Sequence, residues 1–152
     1  VKARTYRKHV ANKFKESLVT PNPPADMAYS KESAAGKAIE TILNDLPGLM
    51  AVAVVDISSG MALASHSNSP SINPETAAAY NTEVVKQKQK AISALKLTNE
   101  SIEDILITLT NQLHLLKLNS TGTKFIYLVV NSRETNLAIA REVLRSSVDQ
   151  IN

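Results

Sequence analysis

Two strand-sized, unbroken apolar runs do most to limit the folds open to this chain. Leu49-Met50-Ala51-Val52-Ala53-Val54-Val55 and Lys124-Phe125-Ile126-Tyr127-Leu128-Val129-Val130 are both rich in β-branched residues and lack polar alternation. A strand that is apolar on both faces has to be covered on both faces. The two runs lie far apart in sequence and are expected to meet at the centre of one sheet, with helices above and below it.

The segments between them supply those helices and the outer strands. Ala35, Ala38, Ile39, Ile42 and Leu46 recur at helical spacing behind Ser30 or Ser33, either of which can cap a helix. That helix must stop before Pro47-Gly48. Asp56-Ile57-Ser58-Ser59-Gly60 reads as a turn, and Met61–His66 as a short return strand at a sheet edge. Asn73 and Pro74 open a long helix that runs to about Leu97. It carries two apolar rows: Ala77, Val84 and Ala91 form one, and Ala78, Val85 and Ile92 the other. One row can pack on the sheet, which leaves the second for another partner.

Three strands follow. Ile105, Ile107 and Leu109 alternate with Leu106, Thr108 and Thr110, Asn111-Gln112 turns, and Leu113–Leu118 returns. Asn119–Thr123 is a loop before the second central run. A last helix starts near Thr135 with Leu137, Ala140, Leu144, Val148 and Ile151 on one face. Short hairpins make most of the sheet antiparallel. The expected fold class is therefore α/β of the α+β kind.

Charge divides the chain in two. Residues 1–19 hold six basic side chains against one acidic, a net of +5. The remainder has 11 basic and 13 acidic, a net of −2. Thr20-Pro21-Asn22-Pro23-Pro24-Ala25-Asp26 blocks both helix and central strand. Residues 1–28 are thus read as a basic segment with a Pro-rich linker, and 29–152 as the domain. Arg4, Arg7 and Lys8 are candidate contacts to an anionic partner, through phosphates. Val10, Phe14 and Leu18 recur every four residues, so the arm suits docking on a protein or an acidic membrane surface. A basic arm that affects only solubility is the plainer alternative. No interleaved aromatic set favours nucleic acid.

The chain has no cysteine, which removes disulfides, a thiol nucleophile and cysteine metal sites and fits a reducing, cytoplasmic setting. No apolar run approaches the ~20 residues of a membrane helix, and no secretion signal follows the charged first residues. His9, His66 and His114 have no metal-ligand spacing and read as ordinary surface or strand residues. There is no G-x-S-x-G, Walker A or G-x-G-x-x-G pattern. The carboxylates at Glu103-Asp104, Asp45 and Asp56 read as solvated element ends. No catalytic, cofactor-binding or metal-ligating residue is assigned, and no cofactor is expected.

From about Lys31 to Asn152 the sequence resembles the roadblock / dynein-light-chain domain. Leu46-Pro47-Gly48-Leu49 looks like the family's approach to its first strand. Val54-Val55-Asp56 leading to Gly60 looks like its first hairpin. The long helix from Pro74 falls at the usual place, and Asn136-Leu137-Ala138-Ile139-Ala140-Arg141 resembles the start of its last helix. Ser58-Ser59-Gly60 departs from the tighter Asp-Gly turn common there, and residues 1–28 lie outside the match.

The resemblance implies a five-stranded antiparallel sheet with one long helix on one face and two on the other. It also implies a homodimer, or a heterodimer with a related roadblock subunit, whose long helices pair and whose sheets often join at their edges. Such dimers act as scaffolds or regulators that bind small Ras-like GTPases, motor components or signalling complexes, and generally lack catalysis. Bacterial members are often encoded with a small GTPase. The residues expected at the dimer interface are Ala77, Tyr80, Val84, Lys88 and Ala91, with Ile105 and Ile107. The rows could instead be exchanged, with Ala78, Val85 and Ile92 outward. A small-ligand-binding or enzymatic α/β domain is the competing reading, as is nucleic-acid or membrane binding through the basic arm.

Overall fold

The computed structural model describes residues 29–152. Arg4, Arg7, Lys8, His9 and the boundary near residue 28 lie outside the described residues.

The first helix, α1 (Ala34–Asp45), starts where Ser33 can close the first turn. Its Oγ accepts from Gly36 N at 3.0 Å and donates to Ser30 O at 2.7 Å. Gly36 is required here because a Cβ would run into the Ser30 carbonyl. Gly36→Ala should therefore displace the incoming segment and destabilise the domain by about 1–3 kcal/mol, which a denaturant midpoint would read. Ala38, Ile39 and Ile42 point inward, and the helix stops at Asp45, two residues before Pro47.

Strands β1 (Leu49–Asp56) and β2 (Ala62–Ser67) form a hairpin. In its turn the Asp56 carboxylate accepts from Ser58 Oγ, Ser59 N and Ser59 Oγ. These hydrogen bonds hold the carboxyl down to about 2. Gly60 takes φ +71° at the turn's end, a conformation that suits glycine. The Ser-Ser-Gly sequence thus closes the hairpin through side-chain acceptance where a shorter loop would use backbone alone.

The long helix α2 (Pro74–Ala94) is capped by Asn73, whose Oδ1 accepts from Thr76 N at 2.9 Å. It ends three residues earlier than the apolar pattern suggests, because Lys96 turns the backbone to φ 57°. Then come β3 (Ile105–Thr108), β4 (Gln112–Leu118) and β5 (Lys124–Asn131). The β3–β4 turn falls one residue earlier than expected: Leu109 N donates to Gln112 O, and Gln112 already belongs to β4. Asn136 caps α3 (Leu137–Val148), and a 3-10 turn over Asp149–Ile151 follows.

The sheet order is β2-β1-β5-β4-β3, antiparallel throughout. The two apolar runs are neighbours, Val52 opposite Leu128 and Val54 opposite Ile126, with β2 and β3 as the edges. Strand periodicity divides their side chains between two cores. On one face Val52, Val54, Leu115, Ile126, Leu128 and Val130 meet Ile39 and Ile42 of α1 and Ala140, Leu144 and Val148 of α3. On the other, Ala53, Val55, Leu116, Phe125, Tyr127 and Val129 cluster with Ala78 and Val85 of α2.

Candidate interaction surface

The helix α2 makes 3.6 residues per turn, and its side chains sort into stripes. Ala78, Thr82 and Val85 are buried and pack against β1 and β2. Ala77, Tyr80, Val84, Lys88 and Ala91 form a second stripe, displaced by roughly a quarter turn. Ala77 and Val84 are half-buried, whereas Lys88 and Ala91 are exposed and Tyr80 is 75% exposed. The row of Ala78 and Val85 is thus the core row, and Ile92 is half-buried beyond it.

A polar contact shows which way the second stripe turns. Asn81 lies between the stripes, with its side chain close to the Tyr127 hydroxyl of β5. Thr82, on the opposite flank, lies beside Gly60 in the β1–β2 hairpin. The second stripe therefore turns toward the β5–β4–β3 side. There the sheet continues beyond the helix. Two cross-strand rows run along this face, Ile105–Leu116–Tyr127–Ala53 and Ile107–His114–Val129–Ala51. The strands under α2 are covered at one end of each row. At the other end Ile105 is half-buried and Ile107 is 37% exposed. The structure so sets one side of a helix and the open end of a sheet face on the same surface.

On that sheet face sits a directed hydrogen-bond chain that sequence reasoning missed. Tyr127 donates its hydroxyl to His114 Nδ1 at 2.9 Å, and His114 Nε2 donates to Gln112 Oε1 at 2.8 Å. The rings of Tyr127 and His114 lie 5.8 Å apart, tilted by 47°. Burial pushes the Tyr127 hydroxyl up to about 12, against the opposing effect of the nearby Asn81 side chain. Burial also lowers the His114 pKa, so the neutral ring that accepts from Tyr127 is the stable form. Both groups are held in place by these hydrogen bonds. His114 is tied into this chain, and His66 is buried on β2 with Nε2 2.7 Å from Asn68 Oδ1.

The sign of the His114 effect is fixed. The folded state binds fewer protons than the unfolded one below the ordinary histidine value of about 6.5. Its contribution to stability is complete above that value and is lost as pH falls toward the lowered folded pKa. Thermal melts from pH 8 to pH 5 should show a larger loss in the parent chain than in His114→Gln. Equal losses would remove His114 from the account.

Among the described residues, no group of three or more histidine, aspartate or glutamate side chains is placed to hold a metal ion. No helix among them is long and apolar enough to cross a membrane.

No family model matches the sequence, and no curated protein matches it. Solved structures match it in fold. MglB of Myxococcus xanthus superposes with a TM-score of 0.65 over 81% of this chain and 89% of that one, at 13% identity. A structure described as MglB with tetrameric arrangement gives 0.64 over 80% and 89%, at 15% identity. A Roadblock/LC7 domain from Streptomyces avermitilis gives 0.61 over 74% and 89%, at 10% identity. The domain is roadblock-like. At identities this low the likeness is one of fold. The roadblock-like architecture accounts for the five-stranded sheet between one long helix and a pair, as the resemblance implies. It also puts the short β3, with Ile105 and Ile107, at an open sheet edge.

Proposed function

We propose that this roadblock-like domain is a non-catalytic, dimeric protein-interaction module that works in the cytoplasm as an adaptor or regulator of a small Ras-like GTPase. The observation that carries this reading is the partly uncovered apolar surface made by Ala77, Val84 and Ala91 of α2 with Ile105 and Ile107 of the sheet. Exposed apolar groups gathered on one face favour a protein partner. A second copy of the chain is the proposed occupant. Paired α2 helices would cover the stripe, and the open edge at β3 would be covered by its counterpart. Lys88 and Tyr80 would lie at the rim, where amphipathic side chains suit an interface. The tetrameric arrangement described for MglB supports self-association on this fold. A stable interface needs about 800 Å² per partner, an area that a 21-residue helix and a strand edge can supply together.

The regulatory part of the proposal rests on the roadblock resemblance. Purified Ras-like GTPases from the same organism would be assayed one at a time for GTP hydrolysis and nucleotide release. The expected result is a change in one of these rates for one GTPase on adding the parent chain, and a smaller change with Val84→Glu. Unchanged rates across the set would remove the GTPase assignment and leave the dimer to be judged separately.

A further inference from the structure

A cleft of about 490 Å³ opens at one end of the sheet, between the end of α2, the segment leading to β3, the β4–β5 loop and the end of α3. Its floor is apolar: Ile92, Ile102 and Leu118 are half-buried and Val148 is buried. Most polar groups of the β4–β5 loop wall are already used within the fold, whereas the Gln89 and Ser101 side chains of the lining are not. Asn119 Oδ1 accepts from Thr123 N and Lys124 N, Ser120 bonds to Asn152 Oδ1, and Thr121 bonds to Thr123. Lys117 is the basic residue of the lining, and it reaches Glu103 through both the backbone carbonyl and the carboxylate. What remains to recognise a partner is an apolar floor with Gln89 and Ser101 beside it, rimmed by Glu100, Asp149 and the Glu103 carboxylate that Lys117 shares. A small polar ligand would find few convergent groups there. A segment apolar on one side and basic on the other would match it.

The chain contains such a segment. Residues 1–19 carry a net +5 around Val10, Phe14 and Leu18, whereas the rest of the protein carries −2. Tyr29, the first described residue, donates to Glu40 of α1 at 2.6 Å. The next residue, Thr41, accepts from Gln150 at 3.1 Å, and Gln150 adjoins Asp149 on the rim. The start of the domain is thus connected to the rim through two side-chain hydrogen bonds on α1. The nine residues 20–28 span about 28 Å even as a stiff Pro-rich connector. Tethering at that length gives a local concentration in the millimolar range, so weak complementarity suffices.

We infer that residues 1–19 dock in this cleft of their own chain, with Val10, Phe14 and Leu18 on the apolar floor and the lysines and arginines against Glu100, Glu103 and Asp149. The arm is then a built-in occupant that any competing partner of the cleft must displace. The inference is independent of the GTPase reading.

Because the protein has no cysteine, a single nitroxide can be attached to the full chain through Asn12→Cys. The expected result is selective loss of amide signal at Ser101–Glu103 and Ser120–Gly122 in the NMR spectrum. The signal should return at 1 M salt, where the Debye length is about 3 Å. It should also return in Glu100→Lys/Glu103→Lys and in Lys13→Glu/Lys15→Glu. The second pair alters only the arm, so it reads the contact even where the first pair fails to fold. Joining the two pairs should restore the broadening. A mixture with isotope and spin label on different copies should show none. Broadening that is absent, spread evenly, insensitive to charge reversal, or equally strong in the mixed sample overturns the inference.

Discussion

Val85→Glu is expected to unfold the domain, whereas Val84→Glu should leave it folded and convert a dimer into monomers. The two residues are neighbours in α2, but their surroundings differ. Val85 is fully buried against the sheet with Ala78. A carboxylate there either stays charged without a partner or takes up a proton, and each route costs several kcal/mol. Net domain stability is only about 5–15 kcal/mol, so loss of the cooperative melt is the expected reading. Val84 is half-buried on the stripe that includes Tyr80 and Ala91. Its substitution should keep the far-UV helix signal and lower the mass in solution by half. Unfolding by Val84→Glu would mean that this stripe belongs to the monomer's core.

Leu128→Ala is expected to cost about 2–5 kcal/mol. Leu128 is completely buried on β5, flanked by Val52 on β1 and Leu115 on β4, and faces the layer of α1 and α3. Three elements would have to move inward to close the space, and close packing allows only partial relaxation. Denaturant titration of the parent and the variant would show it as a lowered midpoint with unchanged slope. A loss below about 1 kcal/mol would mean that the face collapses around the smaller residue.

Much of this architecture was legible because β-strand and helix periods leave different marks. The unbroken runs at Leu49–Val55 and Lys124–Val130 announced central strands, and the structure pairs them residue for residue across most of their length. The alternation from Ile105 announced an edge. The last helix starts two residues later than expected because Asn136 accepts from Ile139 N at 2.9 Å. The end of α2 was not legible. Its backbone turns at Lys96 with φ 57°, where glycine would normally mark the stop.

The candidate surface was only half legible. Helical spacing revealed two apolar rows on α2, but periodicity cannot say which row meets the sheet. The asymmetry that decides it is tertiary: Thr82 lies against Gly60 and Asn81 reaches Tyr127. The chain from Tyr127 through His114 to Gln112 was hidden for a similar reason. Leu116, the residue that faces Tyr127 across the strands, and His114, which bonds it, are assigned by register. A shift of one residue would put His114 on the opposite face. The arm at residues 1–19 was visible from its charge, while its proposed seat needed the cleft.

Self-association is the central claim, and the solution mass tests it most directly. Light scattering on the full chain over a wide dilution series should give twice 16.5 kDa, with dissociation only at the lowest concentrations. A mass of 16.5 kDa throughout would contradict the account and leave the stripe at Ala77, Val84 and Ala91 without its proposed partner.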